Sequence, residues 1–251
     1  MKNKISQAVI LSAGLGTRLR SVTGEQLPKV MVLLAGKPLL EHHIEQFKKH
    51  GVREFFINLH YLPEKITSYF GDGLKWGVKI VYVHEPELRG TAGGVKNFAP
   101  PLNNHFFVVY GDMFSMVDYG RMQRHFFDNN VDAIGMMVVK DTERHDVDLA
   151  EVDHKLKLLK IHPKPHGKSP EGYKSLEATY ILSKKILGHI PAQKHYMIDH
   201  DLLPALLARG DSFYGYQTDD YFEDVGTPER YKKVQEFIKR NKKPTSSTNA
   251  A

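Results

Sequence analysis

Short apolar runs alternate with stretches of helical hydrophobic spacing through the first 140 residues of the chain. Ala8–Ser12 is apolar at all but its last position, which predicts a buried strand. In Pro38–His50 the apolar residues recur at helical spacing, and Gly51 follows as a stop signal. The same reasoning predicts, in chain order, strand Arg53–Asn58, helix Leu62–Phe70, strand Val78–Val83, helix Thr91–Phe98, strand His105–Tyr110, helix Asp118–Asn129 and strand Ala133–Val139.

Strands and helices that alternate over short connections predict an α/β fold with a single doubly wound, mostly parallel (Rossmann-like) sheet. Such sheets bind ligands in the crevice beyond the carboxyl ends of their strands. We therefore expect the loops after Leu11 and after Tyr110 to face a shared cleft.

The pattern changes after residue 140. Val147–Val152 and Lys157–Ile161 are typical of an antiparallel pair, and a proline-rich loop follows them. Further on, the pattern predicts strand Leu176–Leu182, helix Asp199–Arg209, strand Ser212–Gln217 and helix Thr227–Arg240. We expect one domain over residues 1–241, with a smaller antiparallel part after residue 140. The Ser/Thr/Asn/Ala-rich residues 242–251 predict a disordered tail.

Composition is ordinary for a globular protein, with 41% hydrophobic and 25% charged residues among 251. The chain has no cysteine, which excludes disulfides and thiolate metal sites and agrees with a reducing cytoplasm. No segment approaches the roughly 18 consecutive apolar residues of a membrane-spanning helix. We therefore expect a cytoplasmic protein with no membrane partner.

The formal net charge of +6 raises the alternative of a nucleic-acid partner. The basic residues are spread along the chain and are not interleaved with aromatic ones, so we expect no nucleic acid and a solvated basic surface. The sequence has 14 histidines but no His-Glu-x-x-His motif, which argues against a histidine metal site.

The loop Leu11–Leu19 follows a predicted strand and contains small residues and two glycines. Such a loop can bring backbone N–H groups close to phosphate oxygens. A dinucleotide-binding fingerprint needs a small residue where Leu19 stands, and a P-loop needs a Gly-Lys-Ser/Thr ending that is absent. Arg18 and Lys29 flank the loop and could bind phosphate. A simple glycine turn with surface cations stays open at this point.

Leu11–Leu19 followed by Pro28-Lys29 resembles the signature of sugar-1-phosphate nucleotidylyltransferases. Further segments that resemble this family follow in order: Gly36–Glu41, Gly90–Gly93, Tyr110–Asp112 and Asp224–Glu229. The resemblance covers roughly residues 7 to 236. It implies transfer of a nucleoside monophosphate from a nucleoside triphosphate to a sugar 1-phosphate, with Mg²⁺ as cofactor. Homo-oligomer formation is left open.

The resemblance also implies roles for particular residues. Residues 1–140 would form the nucleotide-binding half, and residues 141–241 the sugar-binding half with the terminal helix. The implied site residues are Arg18 and Lys29 for catalysis; Leu11, Ser12, Ala13, Gly14, Gly16, Thr17, Gly90, Thr91 and Gly93 for the nucleotide; Lys164 and Glu177 for the sugar phosphate; and Asp112 and Asp224 for the metal.

This chemistry explains the residue types. A phosphate monoester has a second pKa near 6, so the nucleophile is ionised at neutral pH without a general base. The difficulty is to bring two polyanions together, which calls for cations and positioning. Asp112 follows a buried strand, where a carboxylate is costly unless it is paired or binds a metal. A turn or capping role for Asp112, and a helix N-terminal role for Asp224, are the alternatives.

Three features depart from the family pattern. Many members have proline where Ser21 and Val30 stand, and a Glu-Lys-Pro motif of the sugar site is Pro163-Lys164-Pro165 here, without the acidic partner. Leu19–Val22 resembles a bacterial branch that makes GDP-activated heptose, which favours GTP as donor and heptose, mannose or a similar sugar as acceptor. A sugar-nucleotide sensor without catalysis, or a partner-binding subunit, is the alternative function.

Overall fold

The computed structural model describes residues 4–142, 146–165 and 172–241. Its strands are Gln7–Leu11 (β1), Leu33–Leu34 (β2), Lys37–Pro38 (β3), Glu54–Leu59 (β4), Lys79–His84 (β5), His105–Tyr110 (β6), Met113–Ser115 (β7), Gly135–Asp141 (β8), Leu149–Val152 (β9), Leu158–His162 (β10), Lys174–Ser183 (β11), Phe213–Gln217 (β12) and Phe222–Asp224 (β13). Its α-helices are Arg20–Thr23 (α1), Leu39–Lys49 (α2), Pro63–Phe70 (α3), Gly90–Lys96 (α4), Tyr119–Asn129 (α5), Leu203–Ala208 (α6) and Pro228–Asn241 (α7). The predicted tail 242–251 lies outside the described residues.

A nine-stranded sheet runs through the molecule. β5, β4, β1 and β6 lie side by side and parallel, as the alternation of strands and helices predicts. β11 runs antiparallel between β6 and β8, and β12 lies parallel to β8. The antiparallel pair β9 and β10 joins the first residues of β11. The predicted α/β class, with a mostly parallel sheet and a smaller antiparallel part, is confirmed.

The register of the central strands aligns their carboxyl ends. Leu11 of β1 lies opposite Asn58 of β4 on one side and Tyr110 of β6 on the other. The polar residues Ser12 and Asp112 follow these strand ends. Three connecting loops are therefore brought to one edge of the sheet, which is where doubly wound folds bind ligands.

Helices cover both faces of this sheet because its central strands are apolar on both sides. On one face, Phe47 of α2 stacks on Tyr119 of α5 with ring centroids 4.0 Å apart. Leu203 of α6 belongs to the hydrophobic cluster on the other face. None of the helices in the described part of the chain has the length and apolar character needed to cross a bilayer.

The predicted helix Asp199–Arg209 begins differently in the structure. Ile198–Leu202 forms a wide π-helical turn, and the α-helix α6 starts only at Leu203. The turn is held by the backbone N–H of Leu202, which donates to the carbonyl of Met197 at 3.0 Å. Two other predicted helices begin at the residues expected, with side-chain N-caps: Asp118 accepts from Arg121 N in α5, and Thr227 accepts from Arg230 N in α7.

Helix α2 supports the end of β6 through His43. This histidine is buried, and its Nε2 lies 3.2 Å from the carbonyl oxygen of Gly111, directly after β6. Burial lowers the pKa of His43 to about 4, because the charged imidazolium would lose its hydration. The neutral ring can donate one hydrogen bond to this carbonyl, so His43 fixes the turn that leads to Asp112.

We predict that His43 makes the protein less stable in mild acid. The unfolded chain takes up a proton at His43 as the pH falls below about 6.5, whereas the folded protein does so only near pH 4. The contribution of His43 to the free energy of unfolding is therefore complete above pH 6.5 and decreases as the pH falls, by about 1.4 kcal/mol at pH 5.5. Urea unfolding at pH 7.5 and pH 5.5 measures this difference.

The His43→Gln variant removes this contribution, so its unfolding free energy should change less between the two pH values than that of the wild type. The same substitution at exposed His154 is the matched control. An undiminished pH difference in the His43→Gln variant would show that His43 is not the group responsible.

Candidate active site

A cleft opens at the carboxyl ends of the central strands. The predicted site residues that line it are Leu11, Ser12, Ala13, Gly14, Lys29, Gly90, Thr91 and Asp112. Residues without a predicted role also line it, among them Asn58, Glu85, Tyr110, His195 and Met197. The expected shared cleft after Leu11 and Tyr110 is therefore present, and the predicted nucleotide loop forms one of its walls.

The other predicted site residues lie outside the lining of this cleft: Gly16, Thr17, Arg18, Gly93, Lys164, Glu177 and Asp224. Arg18 lies in a 3₁₀ turn, Thr17–Leu19. It is exposed, and its side chain makes no hydrogen bond or ion pair with any described residue. Lys29, by contrast, is buried and ion-paired, so the two predicted catalytic cations have different surroundings.

Lys29 is the buried cation of the site. It is 8% exposed, in a 3₁₀ turn that follows Pro28. Its Nζ lies 2.6 Å from Asp112 Oδ2 and 3.6 Å from Asp224 Oδ1. A buried ammonium is costly unless it is paired, and these two carboxylates provide the pairing. The structure therefore brings Lys29 together with both predicted metal ligands.

Asp112 and Asp224 meet because β7 and β13 form a small antiparallel sheet. Asp224 lies opposite Met113 in this pairing, and the backbone N–H of Val225 donates to the Asp112 carbonyl at 2.9 Å. The pairing joins the segment that follows β6 to the segment before α7. Sequence reasoning placed these carboxylates in one site by resemblance, and this short sheet is the physical contact that unites them.

The two oxygens of Asp224 have different partners. Oδ2 accepts a hydrogen bond from Arg230 Nη1 at 2.7 Å. Oδ1 is buried and has no hydrogen-bond partner among the described residues, although Lys29 Nζ is close enough for an ion pair. An unbonded buried carboxylate oxygen beside a second carboxylate suits a hard divalent cation such as Mg²⁺. The residues present therefore fit the metal that the resemblance implies.

Two glycines allow the close approach around Lys29. Gly16 has a positive φ of 63°, and a Cβ there would lie 2.9 Å from the Cβ of Lys29. A Cβ at Gly226 would lie 2.6 Å from Asp224 Oδ1 and 3.0 Å from Lys29 Nζ. The glycine-rich loop and the segment before α7 thus pack against the same lysine from two sides.

A polar chain joins the loop to the opposite wall of the cleft. The backbone N–H of Ser12 donates to Asn58 Oδ1 at 2.7 Å, and Asn58 Nδ2 donates to Glu85 Oε1 at 3.0 Å. Glu85 is 2% exposed and also accepts from Asn97 Nδ2 and from the backbone N–H of Arg89. Sequence reasoning missed Asn58 and Glu85. Their positions at or just after the ends of β4 and β5 carry the same signal that singled out Asp112.

The start of α4 is held by the segment that precedes the π turn. Backbone N–H groups of Ala92 and Gly93 donate to the carbonyl of Tyr196, at 2.9 Å and 3.2 Å. Thr91 Oγ1 accepts from Ile198 N at 2.8 Å. The N–H of Gly93 is thus occupied within the protein, whereas Gly90 and Thr91 face the cleft.

A tyrosine pair and a carboxylate lie beside this contact. Tyr110 donates to Asp199 Oδ2 at 2.8 Å, and Tyr180 donates to Asp199 Oδ1 at 2.7 Å. Burial raises the pKa of Asp199, while the two hydroxyl donors oppose that shift. Burial also raises the pKa of both tyrosines well above their usual range. Both phenols therefore remain donors at neutral pH, and the contact with Asp199 holds Tyr110 in the lining of the cleft.

The predicted sugar residues lie on the antiparallel side of the molecule. The backbone N–H of Lys164 donates to Asp148 Oδ1 at 2.9 Å, and His200 Nε2 lies 3.0 Å from Asp148 Oδ2. Glu177 lies where the pairing of β11 with β8 is interrupted by a bulge, and it accepts from Ser175 Oγ at 2.8 Å. The Asp148 contacts link the loop that carries Lys164 to the π turn.

Comparison with known proteins matches residues 7–241 to the family model described as nucleotidyl transferase. A D-glycero-alpha-D-manno-heptose 1-phosphate guanylyltransferase of Campylobacter jejuni is 31% identical, over 90% of this chain and 96% of the relative. A mannose-1-phosphate guanylyltransferase of Mycobacterium tuberculosis is 30% identical, over 89% of this chain and 62% of the relative. The crystal structure of HddC from Yersinia pseudotuberculosis complexed with GMP-PN superposes with a TM-score of 0.76, at 29% identity, over 93% of this chain and all of that one.

The chain therefore belongs to the nucleotidyl transferase family, as its motifs indicate. It spans less than two thirds of the length of the mannose relative, but nearly the whole length of the heptose relative. The family assignment rests on almost the entire described chain.

We predict that Gly226→Ala destabilises the fold through the Lys29 ion pairs. The added Cβ would meet Asp224 Oδ1 and Lys29 Nζ at distances that force one of them to move. We expect the free energy of unfolding to fall by about 1–3 kcal/mol, which urea titration followed by circular dichroism measures. The control is Gly188→Ala, where an added Cβ has no neighbour within 4 Å and the change should stay within about 0.5 kcal/mol. Equal effects at both positions would contradict the tight packing described here.

Proposed function

We propose that this protein is a sugar-1-phosphate nucleotidylyltransferase that joins GTP and a sugar 1-phosphate to give a GDP-sugar and pyrophosphate. The observation that carries the proposal is the meeting of Lys29, Asp112 and Asp224 beside a glycine-rich loop. Family membership and relatives that act on heptose 1-phosphate and mannose 1-phosphate support it. A cytoplasmic location, with one domain over residues 1–241, is part of the same proposal.

In this reaction an oxygen of the sugar phosphate attacks the α-phosphorus of GTP. The bond from that phosphorus to the β-bridging oxygen breaks, and pyrophosphate leaves with the electron pair. Lys29 supplies positive charge at the mouth of the loop, where it can pair with phosphate instead of Asp112. Arg18 is exposed and without a partner among the described residues, so its side chain can reach a bound polyanion without breaking an existing ion pair.

Asp112 and Asp224 would hold Mg²⁺. The chemistry that Mg²⁺ supplies when it is bound is neutralisation of charge on the triphosphate oxygens. The protein's own contribution is to hold the two carboxylates close together, through the ion pairs of Lys29 with both of them and of Arg230 with Asp224. Backbone N–H groups of the loop after Ser12, whose own N–H is bound by Asn58, would orient the triphosphate.

On the acceptor side, Lys164 would bind the sugar phosphate, and Glu177 would accept hydrogen bonds from sugar hydroxyls. The bulge at Glu177 supports this role, because a bulge re-aims a side chain out of the regular alternation of a strand. The acceptor that we propose is a heptose or mannose 1-phosphate, in line with the names of the relatives.

We predict that the protein with Mg²⁺ releases pyrophosphate from one preferred pairing in a matrix of triphosphates and sugar 1-phosphates. Asp112→Asn should lower kcat by at least about 100-fold, because it removes one of two metal-binding charges. Asp128→Asn, at an exposed aspartate of α5, should leave the rate unchanged. Nucleotide-sugar binding without turnover would favour the alternative of a sensor, and full activity in Asp112→Asn would contradict the metal assignment.

The guanine preference is supported by Glu85. A carboxylate is an acceptor only, and guanine is the base whose Watson–Crick edge presents adjacent N1–H and N2–H donors. Glu85 lies in the cleft wall near the predicted base-proximal loop. Its Oε1 accepts from Asn58 and Asn97 and its Oε2 from the backbone N–H of Arg89, so the remaining lone pair of Oε2 would accept from guanine. The solved relative complexed with GMP-PN agrees with this choice of base.

We predict that Glu85→Gln lowers kcat/KM for GTP about 10–100-fold more than for the other triphosphates, because one acceptor becomes a donor. Steady-state rates with the four triphosphates measure the preference. Glu87→Gln, two residues along and exposed, is the matched control and should keep the wild-type order. An unchanged preference for GTP in Glu85→Gln would mean that another group recognises the base.

A further inference from the structure

The ion pairs of the site continue from Asp112 through Lys29 and Asp224 to Arg230. Its Nη1 donates to Asp224 Oδ2 and its Nη2 donates to Asp146 Oδ2, both at 2.7 Å. Its Nε lies 4.0 Å from Glu223 Oε1. One guanidinium therefore joins the carboxylate before α7 to the segment that leads into β9.

The start of α7 explains this placement. Thr227 caps the helix and Pro228 occupies its first position, so Arg230 falls in the first turn. Side chains of a helix lean toward its N-terminus, which is the direction of Asp224. The planar guanidinium then holds two carboxylates in fixed directions, which an ammonium group could not do with the same geometry.

This contact makes the two oxygens of Asp224 unequal. Oδ2 is bound by Arg230, while Oδ1 is buried, has no hydrogen-bond partner among the described residues and lies on the side of Lys29. The carboxylate cannot turn Oδ2 toward Asp112 without breaking its bond to Arg230. Its orientation is therefore set from outside the cleft.

We propose that Arg230 is a positioning residue that presents Asp224 Oδ1 to a divalent cation shared with Asp112. The proposal rests on the proposed function, since it concerns the same metal site. Groups that hold a metal ligand from behind commonly change metal affinity about 10–100-fold when they are removed. Mg²⁺ tolerates little departure from octahedral geometry, so it is sensitive to the orientation of such a ligand.

Loss of the Arg230 charge and loss of the Asp224 orientation would have opposite effects on cation binding. Loss of a nearby positive charge alone would strengthen cation binding, whereas loss of orientation weakens it. Arg230→Met removes both the charge and the fork, and Arg230→Lys keeps the charge without the fork. Weaker metal binding in both variants therefore identifies orientation as the contribution of Arg230.

The test is a Mn²⁺ titration of the full chain followed by electron paramagnetic resonance of the free ion. We expect the Mn²⁺ dissociation constant to rise about 10–100-fold in Arg230→Met and Arg230→Lys. The Mg²⁺ concentration for half-maximal pyrophosphate release should rise in parallel, with KM for the sugar phosphate little changed at saturating Mg²⁺. The control is Lys233→Met, because Lys233 is another cation of α7 but pairs with Glu223 rather than Asp224. This variant should bind Mn²⁺ as the wild type does.

The outcomes separate the two proposals. Wild-type affinity or tighter binding in both Arg230 variants overturns the positioning role, and so does a lower melting temperature without any change in metal binding. Wild-type protein that neither binds Mn²⁺ nor releases pyrophosphate from any pairing overturns the proposed function, and the positioning role with it. Arg230→Lys retains the charge and most of the side-chain volume, so the test stands even if Arg230→Met does not fold.

Discussion

The site depends on one buried ammonium group. Lys29 Nζ lies between Asp112 and Asp224, and neither the lysine nor the unbonded oxygen of Asp224 could be buried alone without a large desolvation cost. Gly16 and Gly226 lack the side chains that would prevent this approach. The constraint explains why a loop near the N-terminus and a turn before the last helix are packed together: the first supplies Lys29, and the second supplies its partner Asp224.

Around this centre, hydrogen bonds tie the walls of the cleft to one another. The loop is tied through Asn58 to Glu85, and the start of α4 is tied through Thr91 to the π turn. The π turn in turn holds Tyr110 and Tyr180 through Asp199. These links connect the parallel part of the sheet to its antiparallel part. In the proposed reaction, walls fixed in this way would lower the entropic cost of binding two polyanions in line.

Much of this arrangement follows from local sequence. The apolar runs predicted the nine strands of the main sheet but not the short strands β2, β3, β7 and β13. Asp118 and Thr227 marked two helix starts, and the glycines with Lys29 marked a loop that lines the cleft. The place of β11 inside the sheet was beyond reach, because an apolar run indicates a strand but not its neighbours. Asn58 and Glu85 follow the same rule as Asp112 and could have been found from it. Arg230 could not, because a cation in the first turn of a polar helix looks like any solvated residue. Arg18 lies exposed outside the cleft lining, whereas Lys29 lies within it.

The most direct test is a crystal structure with Mn²⁺ and a non-hydrolysable GTP analogue, with anomalous data to locate the metal. We expect an anomalous peak within about 2.0–2.3 Å of one carboxylate oxygen from each of Asp112 and Asp224. We also expect Lys29 Nζ to leave Asp112 and to contact a phosphate oxygen. A metal bound elsewhere, with Lys29 still bridging both carboxylates beside bound nucleotide, would contradict the proposed metal site.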